Sequence, residues 1–441
     1  MTTTALLRER LGDRLVQPGD EHYDRLRAVW NAMVDRRPRL IARCASAEDV
    51  ADAVRTGREL GLEIAVRCGG HSVLGLSVPE DGLMIDLTPM GGVTVDPVSR
   101  TARVQGGALL GALDVAAQQH GLATTAGNVS HTGAGGLTLG GGMGWLARQY
   151  GLSCDNVLSY ELVTADGERV RASRDEHPEL FWALRGGGGN FGVVTEFEFQ
   201  LHETGTRAYV AELTYPLEQA AAVLRGWRDL SAEAPRQATF AASMGRGLVT
   251  AGYVWAGPTE HAADLLPELR ALGVPVTENV GELSYVELQT REDSPEGHAY
   301  RRYWKGHYVL GLPDAAIDAL VEQGDADMGI SLQAYGGAIA DVPDDDSAFS
   351  QRDAAFEYVA AARWEDAAED ADRMAAARRT AAAIEPFASG AYVNALSDEG
   401  AAGVRRAYRP AKLERLTAVK TAYDPENVFH LNHNIAPAAR S

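Results

Sequence analysis

Cysteine is scarce: Cys44, Cys68 and Cys154 are the only three in 441 residues, too few for a disulfide framework and without the spacing that holds a metal. Such usage fits a reducing interior. Long apolar runs are also missing. No stretch approaches the ~20 residues of a membrane span, and Met1 to Glu9 contains neither an apolar signal core nor a twin-arginine pair, so the expected location is cytoplasmic. Positive charge is in short supply. With 41 Lys and Arg against 61 Asp and Glu, a net charge of −20, a broad surface for nucleic acid or anionic membrane is excluded, because polyanions are held by clustered cations. The short basic runs Arg36-Arg37-Pro38-Arg39 and Tyr300-Arg301-Arg302 read as solvated faces. No internal repeat is present. A dinucleotide fingerprint is absent, since no Gly-x-Gly-x-x-Gly joins a strand to a helix with an acidic residue following at the required distance. Gly186 to Gly189 is not followed by Gly-Lys-Ser/Thr, which excludes a nucleotide triphosphate loop.

Glycine, by contrast, is abundant and clustered. Arg67-Cys68-Gly69-Gly70-His71-Ser72 follows the strand-like run Leu62 to Val66, so that a tight turn carries a histidine and consecutive backbone N–H groups to one place, where they suit an anion such as a pyrophosphate. From Gly127 to Gly144, eight of eighteen residues are glycine. Val129, Leu137, Leu139, Met143, Trp145 and Leu146 are interleaved with them, which argues against a flexible linker and for close approach of backbone to a large ligand. A third cluster, Arg185 to Gly192, leads into the alternating run Val193 to Phe199, a strand.

The remaining pattern is mixed. Ser46 with Asp49 opens a helix marked by Val50, Val54 and Leu60 and stopped at Gly61. Strands are expected at Leu83 to Leu87, Val93 to Val95 and Thr101 to Gln105, and a helix from Leu109 to Gln119 closed by Gly121. After residue 205, strands at Ala208 to Leu213, Leu248 to Trp255 and Ile330 to Tyr335 alternate with helices at Pro216 to Leu230 and Thr259 to Leu272, a sheet covered by helices. Composition suggests two or three domain-sized units, with 45% hydrophobic residues enough to fill their cores. The alanine-rich stretch Ala354 to Glu385 is one long helix by propensity alone.

RCGGHSVLG, AGNVSHTGAGGLTLGGGMGWLARQYGLSCDNVLSYELVTADG and ELFWALRGGGGNFGVVTEFEFQL, with Tyr392-Val393-Asn394 and the ending Tyr423 to Ile435, resemble in order and spacing the berberine-bridge-enzyme-like flavoprotein oxidases of the vanillyl-alcohol-oxidase superfamily. The bacterial 6-hydroxynicotine-oxidase-like branch is the most similar in these motifs. The resemblance spans roughly residues 36 to 437. It implies an α+β fold: a PCMH-type FAD-binding domain made of residues 36–205 and 404–441, an inserted substrate domain of residues 206–403 with an antiparallel sheet covered by helices, and an N-terminal helical extension of residues 1–35. It also implies a strand at Phe356 to Arg363, with the helix starting near Asp366.

The implied cofactor is FAD, attached covalently to His71 through the flavin 8α-methyl carbon. Many relatives add a second link from a cysteine in the glycine loop, but that position falls on Val129 or its neighbour, and Cys154 reads as a small buried residue. Backbone N–H groups around Gly69, Gly70, Ser72, Ser130, Gly133, Gly135 and Gly136 would cradle the diphosphate. Arg67, Cys68, Leu137 and Gly142 belong to the same cofactor-binding motifs, Val194 is placed to meet the adenine, and Asn432 and Asn434 to reach the flavin or its ribityl chain. Tyr392 is the implied general base. Its anion must then be favoured by about 4 kcal/mol to act at neutral pH, with Lys305 or Arg363 as candidate sources of positive charge. Tyr303, Trp304, Tyr308 and Tyr335 fall in stretches that line the substrate side, and Ala395 stands where relatives commonly carry an aromatic, which suggests a wider cavity.

The function so implied is oxidation of a small or medium-sized alcohol, amine or polycyclic secondary metabolite, with O₂ as acceptor. Two alternatives stay open: a flavin-dependent oxygenase or oxidative cyclase, and a non-catalytic flavin- or ligand-binding protein. The expected partners are a small-molecule substrate and O₂, with a homodimer open as the assembly. Because the loop lacks its cysteine, peptide mapping is expected to find a flavin adduct on His71 alone; an adduct on Cys68 or Cys154 would refute this alignment.

Overall fold

The helix Ala47–Glu59 begins as its sequence requires, with the Ser46 hydroxyl accepting the Asp49 N–H at 3.2 Å, in a computed structural model that describes residues 3–294, 297–324 and 327–439. The first two residues of the expected N-terminal extension and the last two of the expected C-terminal return lie outside the described residues. Among the described residues no helix is long and apolar enough to cross a membrane.

Three of the four sheets among the described residues frame the site, the fourth being the short pair His202–Glu203 with Leu122–Ala123. In the first, Leu40–Arg43, Leu83–Asp86 and Ile64–Arg67 run parallel, with Leu15–Val16 antiparallel at one edge. Its strand Ile64–Arg67 delivers the chain directly into the Cys68–Ser72 turn. The second is a five-stranded antiparallel sheet in the order Val93–Asp96, Thr101–Gln105, Val193–Gln200, Val157–Val163, Arg169–Ser173. The helix Leu110–Gln118, closed at Gly121 with φ +64°, packs on it through Leu113 and Ala117.

The third sheet has eight antiparallel strands, ordered Thr277–Ser284, Arg207–Pro216, Leu248–Ala256, Ala238–Gly245, Gly329–Ala334, Phe356–Trp364, Arg301–Val309, Ala388–Gly390. Its strands alternate between two faces, the period-2 property of extended chain. Phe356, Tyr358, Ala360, Ala362 and Trp364 share a core with Trp227, Ile317 and Ala377 from the helices Ala220–Glu233, Asp314–Val321 and Asp370–Ala382. Glu357 and Val359 point the other way, into a cavity.

The strand that the resemblance implies at Phe356 to Arg363 is present, in place of the single helix that propensity alone gives for Ala354 to Glu385. Phe356–Trp364 is a strand, held by ladders to both Arg301–Val309 and Gly329–Ala334, and these pairings override alanine's helical preference. Helix resumes only after Asp366, whose side chain accepts the Ala368 N–H at 2.9 Å. Likewise Thr259 to Leu272 is mostly turns, with a helix only at Leu266–Arg270, because Pro267 lacks an N–H and is accommodated in the first turn of a helix but not within one. The expected helix from Pro216 starts later, at Ala220, since Arg207–Pro216 continues as strand.

The chain end returns to the first half of the molecule. The helix Pro410–Tyr423 sets Leu416 and Val419 into the core that holds Phe197 and Phe199, and a fully buried ion pair fixes the path of the chain beyond that helix. Lys420 Nζ donates to Asp424 Oδ2 at 2.6 Å and to the Asn190 carbonyl at 2.8 Å, while Asp424 accepts the Val428 and Phe429 N–H groups. Removing one member of such a pair leaves a buried charge unmatched. Lys420→Met is expected to destabilise the protein by about 3–5 kcal/mol, read by chemical denaturation; a loss below about 1 kcal/mol would show that the pair does not hold the chain end.

Candidate active site

A cavity of about 450 Å³ is walled by the turn after Ile64–Arg67, the glycine loop Gly127–Leu139, Gly188–Val194, the inner face of the eight-stranded sheet at Trp304, Gln333, Glu357 and Val359, the segment Tyr392–Leu396, and Phe429–His433. The two glycine turns touch backbone to backbone. A Cβ on Gly69 would collide with the Gly133 nitrogen, and one on Gly133 with the Gly69 nitrogen. Gly70 sits at φ +70°, the left-handed conformation that turns the chain toward His71.

Most of the residues expected in the site meet there. Cys68, Gly69, Gly70, His71, Ser72, Val129, Gly133, Gly135, Gly136, Leu137, Val194, Tyr392 and Asn432 all line the cavity. Four do not. The Arg67 guanidinium turns away to the Leu26 carbonyl, and Ser130 donates through both its N–H and its hydroxyl to Asp293. Gly142 donates its N–H to the Tyr392 hydroxyl instead of facing the cavity, and Asn434 does not line the cavity. Cys154 is fully buried in an apolar cluster with Tyr308 and Phe349. Cys68 faces the cavity, but burial pushes its thiol up to about 11, so it stays protonated.

His71 is half-buried and neutral. Loss of solvation, then the neighbouring His131 and Arg302, push its pKa down to about 3. A neutral imidazole retains a nucleophilic lone pair.

The hydroxyl of Tyr392 accepts the Gly142 N–H at 3.0 Å and the Asn394 side-chain amide at 2.9 Å. These donors favour the anion, yet burial, reinforced by Glu357, raises the Tyr392 pKa above the ordinary phenol value, opposite to the direction a base at neutral pH requires. Neither expected cation intervenes. Lys305 is paired with Asp398 and Glu399, and the Arg363 guanidinium lies over the Tyr300 ring. Of the four aromatics, Trp304 lines the cavity, Tyr303 faces the helix-covered side, and Tyr308 and Tyr335 back Tyr392, their hydroxyls 3.0 Å apart. Ala395 lines the cavity.

Glu357 and Gln333 are site residues that the motifs do not mark. The Glu357 carboxylate accepts the Tyr335 hydroxyl at 2.8 Å, and burial lifts its pKa to about 7. The legible signal is a single carboxylate in the otherwise apolar alternation Phe356-Glu357-Tyr358-Val359. Gln333 offers a buried Nε2 without a partner, and Asn128 a buried Oδ1. Both line the cavity, so it presents an unused donor and an unused acceptor. Gly136 faces open space there, and any side chain would stand in the cavity. Backbone-lined turns at one end and open polar valences elsewhere fit a ligand with a polyanionic centre and a polar heterocycle, as FAD has.

Comparison with known proteins agrees. Residues 38–173 match the FAD binding domain family, and residues 391–436 the berberine and berberine-like family. The (R)-6-hydroxynicotine oxidase of Paenarthrobacter nicotinovorans is 34% identical over 96% of this chain and 96% of its own length. The chain belongs to the berberine-bridge-enzyme-like FAD-linked oxidoreductases. Among solved structures, 6-hydroxy-D-nicotine oxidase from Arthrobacter nicotinovorans superposes with a TM-score of 0.86 at 31% identity, covering 96% of this chain and 98% of that one. Glucooligosaccharide oxidase from Acremonium strictum, described with a 6-S-cysteinyl, 8α-N1-histidyl FAD, gives 0.91 at 25% identity and covers both chains fully. The family supplies oxidoreductase activity, FAD and the α+β fold. In this berberine-bridge-like enzyme the Gly69–Gly133 contact leaves no space for a side chain on either turn. Gly69→Ala is expected to abolish FAD retention while leaving the far-UV circular dichroism unchanged, and a variant that stayed yellow after gel filtration would remove the contact from the cofactor site.

Proposed function

We propose that this protein is an oxidase whose FAD is bound covalently through His71 alone, and that it oxidises a small or medium-sized alcohol, amine or polycyclic metabolite with O₂ as acceptor. Residues 36–205 and 404–441 would form the cofactor-binding unit and residues 206–403 the substrate-binding unit. The observation that carries the reading is that one cavity holds a neutral imidazole at a glycine-built turn and, on the opposing sheet, a carboxyl that titrates near neutrality.

The backbone of Gly69, Gly70, Ser72, Gly133, Gly135 and Gly136 would hold the diphosphate, Val194 the adenine, and Asn432 the ribityl chain or ring. FAD held there would supply a two-electron acceptor for a hydride from substrate carbon, with O₂ as the final acceptor. Glu357 takes the proton of the substrate O–H or N–H, because it is the cavity group whose ionised form is available at neutral pH without a further ~4 kcal/mol. Tyr392, the base that the motifs imply, is assigned here to hold the substrate heteroatom with its hydroxyl, whose two donors fix its orientation. Gln333 offers its free amide to a second polar substituent.

Glu357 must be ionised to accept a proton, so flavin reduction is expected to be slow below pH about 7 and to level off above it. Glu357→Gln should remove that pH dependence and slow reduction by ~10²- to 10⁴-fold, with Tyr392→Phe the milder of the two in stopped flow. The reverse order would return the base to Tyr392. Denatured wild type should stay fluorescent on a gel, His71→Ala should release its flavin, and turnover should form hydrogen peroxide; flavin lost on acid precipitation of the wild type would overturn the covalent link.

A further inference from the structure

Two helices grip the glycine loop that walls the cavity. From one, Leu110–Gln118, the Leu110 and Gly111 N–H groups donate to the Thr132 and Ser130 carbonyls at 2.9 and 2.8 Å. From the other, Tyr285–Thr290, Gln289 reaches the start of the loop: its Nε2 donates to the Gly127 carbonyl at 3.0 Å and to Asp114 Oδ2 at 3.2 Å. Just past that helix, Asp293 accepts the Ser130 N–H at 2.9 Å and the Ser130 hydroxyl at 2.6 Å. Asp114 and Gln289 are both almost completely buried. Gly127 and its neighbour Asn128 line the cavity.

A carbonyl can only accept, so Gly127 fixes which end of the Gln289 amide faces it, both N–H bonds of Nε2 are used, and Oε1 is left buried without a partner. That oxygen needs a donor. An ionised Asp114 offers only lone pairs beside it, whereas a protonated Asp114 offers an O–H, which closes a two-bond pair between carboxylic acid and amide. We infer that Asp114 is a carboxylic acid paired with Gln289, that this pair sets the Gly127 end of the glycine loop for FAD, and that ionisation of Asp114 releases it. FAD is the ligand whether or not His71 bonds it. The surroundings of Asp114 favour the acid: burial pushes its pKa up to about 7, with only the Gln289 amide opposing, and among the described residues no cation acts on it. Its own helix carries no other titratable group. On the facing helix, burial first and Asp114 second hold the Tyr285 phenol protonated, and Glu287 is engaged with the Ser284 N–H. On the strands behind, Asp96 and Arg103 are exposed, the first accepting the Val98 N–H and the second paired with Glu196. In the folded chain Asp114 therefore keeps its proton up to pH about 7, whereas in the unfolded chain it is lost near ~3.9. Its contribution to stability is full below pH ~4, falls as pH rises, and is gone above about 7.

The test uses the full chain made as apoprotein under riboflavin limitation, with FAD uptake followed by the change in flavin fluorescence on mixing and stability by thermal unfolding, on both sides of neutrality. Asp114→Asn keeps the shape of the side chain and supplies an N–H to Gln289 Oε1 at every pH. Wild type is expected to take up FAD about tenfold more slowly at about pH 9 than at about pH 6, the weight of roughly one buried hydrogen bond. Its unfolding temperature should fall relative to that of Asp114→Asn as pH rises toward about 7 and stay level beyond. Glu357 titrates in the same range, so the comparison between the two proteins carries the result. Asp114→Asn should lose the tenfold change, and Gln289→Met, which keeps the length but has no amide, should be slow on both sides of neutrality. A pH profile of uptake in Asp114→Asn equal to that of wild type would overturn the proposal, as would uptake by Gln289→Met at the rate of wild type in acid. Should Gln289→Met fail to fold, the comparison of Asp114→Asn with wild type decides.

Discussion

The contact between the Gly69 and Gly133 backbones is the constraint on which the site depends. Two turns from different parts of the chain meet with no space for a Cβ on either, so the end of a parallel strand and the start of the helix Ala134–Leu139 are fused into one concave surface. Any side chain there would separate the turns and push His71 away from the cavity. The cost is entropic, because glycine loses more freedom on ordering than any other residue. It is offset by the surrounding apolar cores, in which Ile64, Leu83 and Ile85 on one side, and Leu110, Ala134 and Phe197 on the other, are almost completely buried.

The eight-stranded sheet solves the opposite problem. Its helix-covered face is closed by large side chains such as Trp227, Phe240 and Tyr358, while its other face must stay open and polar enough to meet a substrate. Alternation along Phe356–Trp364 serves both needs with one strand. Placing a carboxylate on the open face costs solvation, and the Tyr335 hydroxyl offsets only part of it, which is why Glu357 titrates near neutrality. The same burial acts on His71 and Tyr392 with consequences set by their chemistry: the imidazole is kept neutral and nucleophilic, and the phenol is kept protonated.

The wall around His71 draws on distant segments. Trp30 comes from the N-terminal stretch, where Asn31 donates to the Val73 carbonyl at 2.6 Å and to the Arg302 carbonyl at 2.9 Å, so one side chain ties that stretch both to the histidine turn and to the eight-stranded sheet. Trp30 and Asn31 thus tie the N-terminal stretch to the histidine turn, with Trp30 covering one face of the His71 ring.

Much of this was written in the chain. Glycine spacing marked the turns at 67–72 and 127–144, a local property that arises from backbone stereochemistry, alternation marked Val193 to Phe199 as a strand, and the flanking Gly and Pro breaks marked Thr101 to Gln105 as another. Motif order supplied the family, the fold and the histidine. What the sequence left open depends on partners far along the chain. For Ala354 to Glu385 propensity pointed to helix and the resemblance to a strand followed by a helix, and ladders to two other strands supply the physical reason for the strand. That His71 Nε2 lies against His131 and Nδ1 beside Thr132 appears only in the folded chain, since the position of His131 in the glycine loop carries no sign of the ring it meets. The upward shifts of the Tyr392 and Glu357 pKa values come first from burial, a quantity that exists only once the chain is folded, because a pKa belongs to an environment and not to a residue.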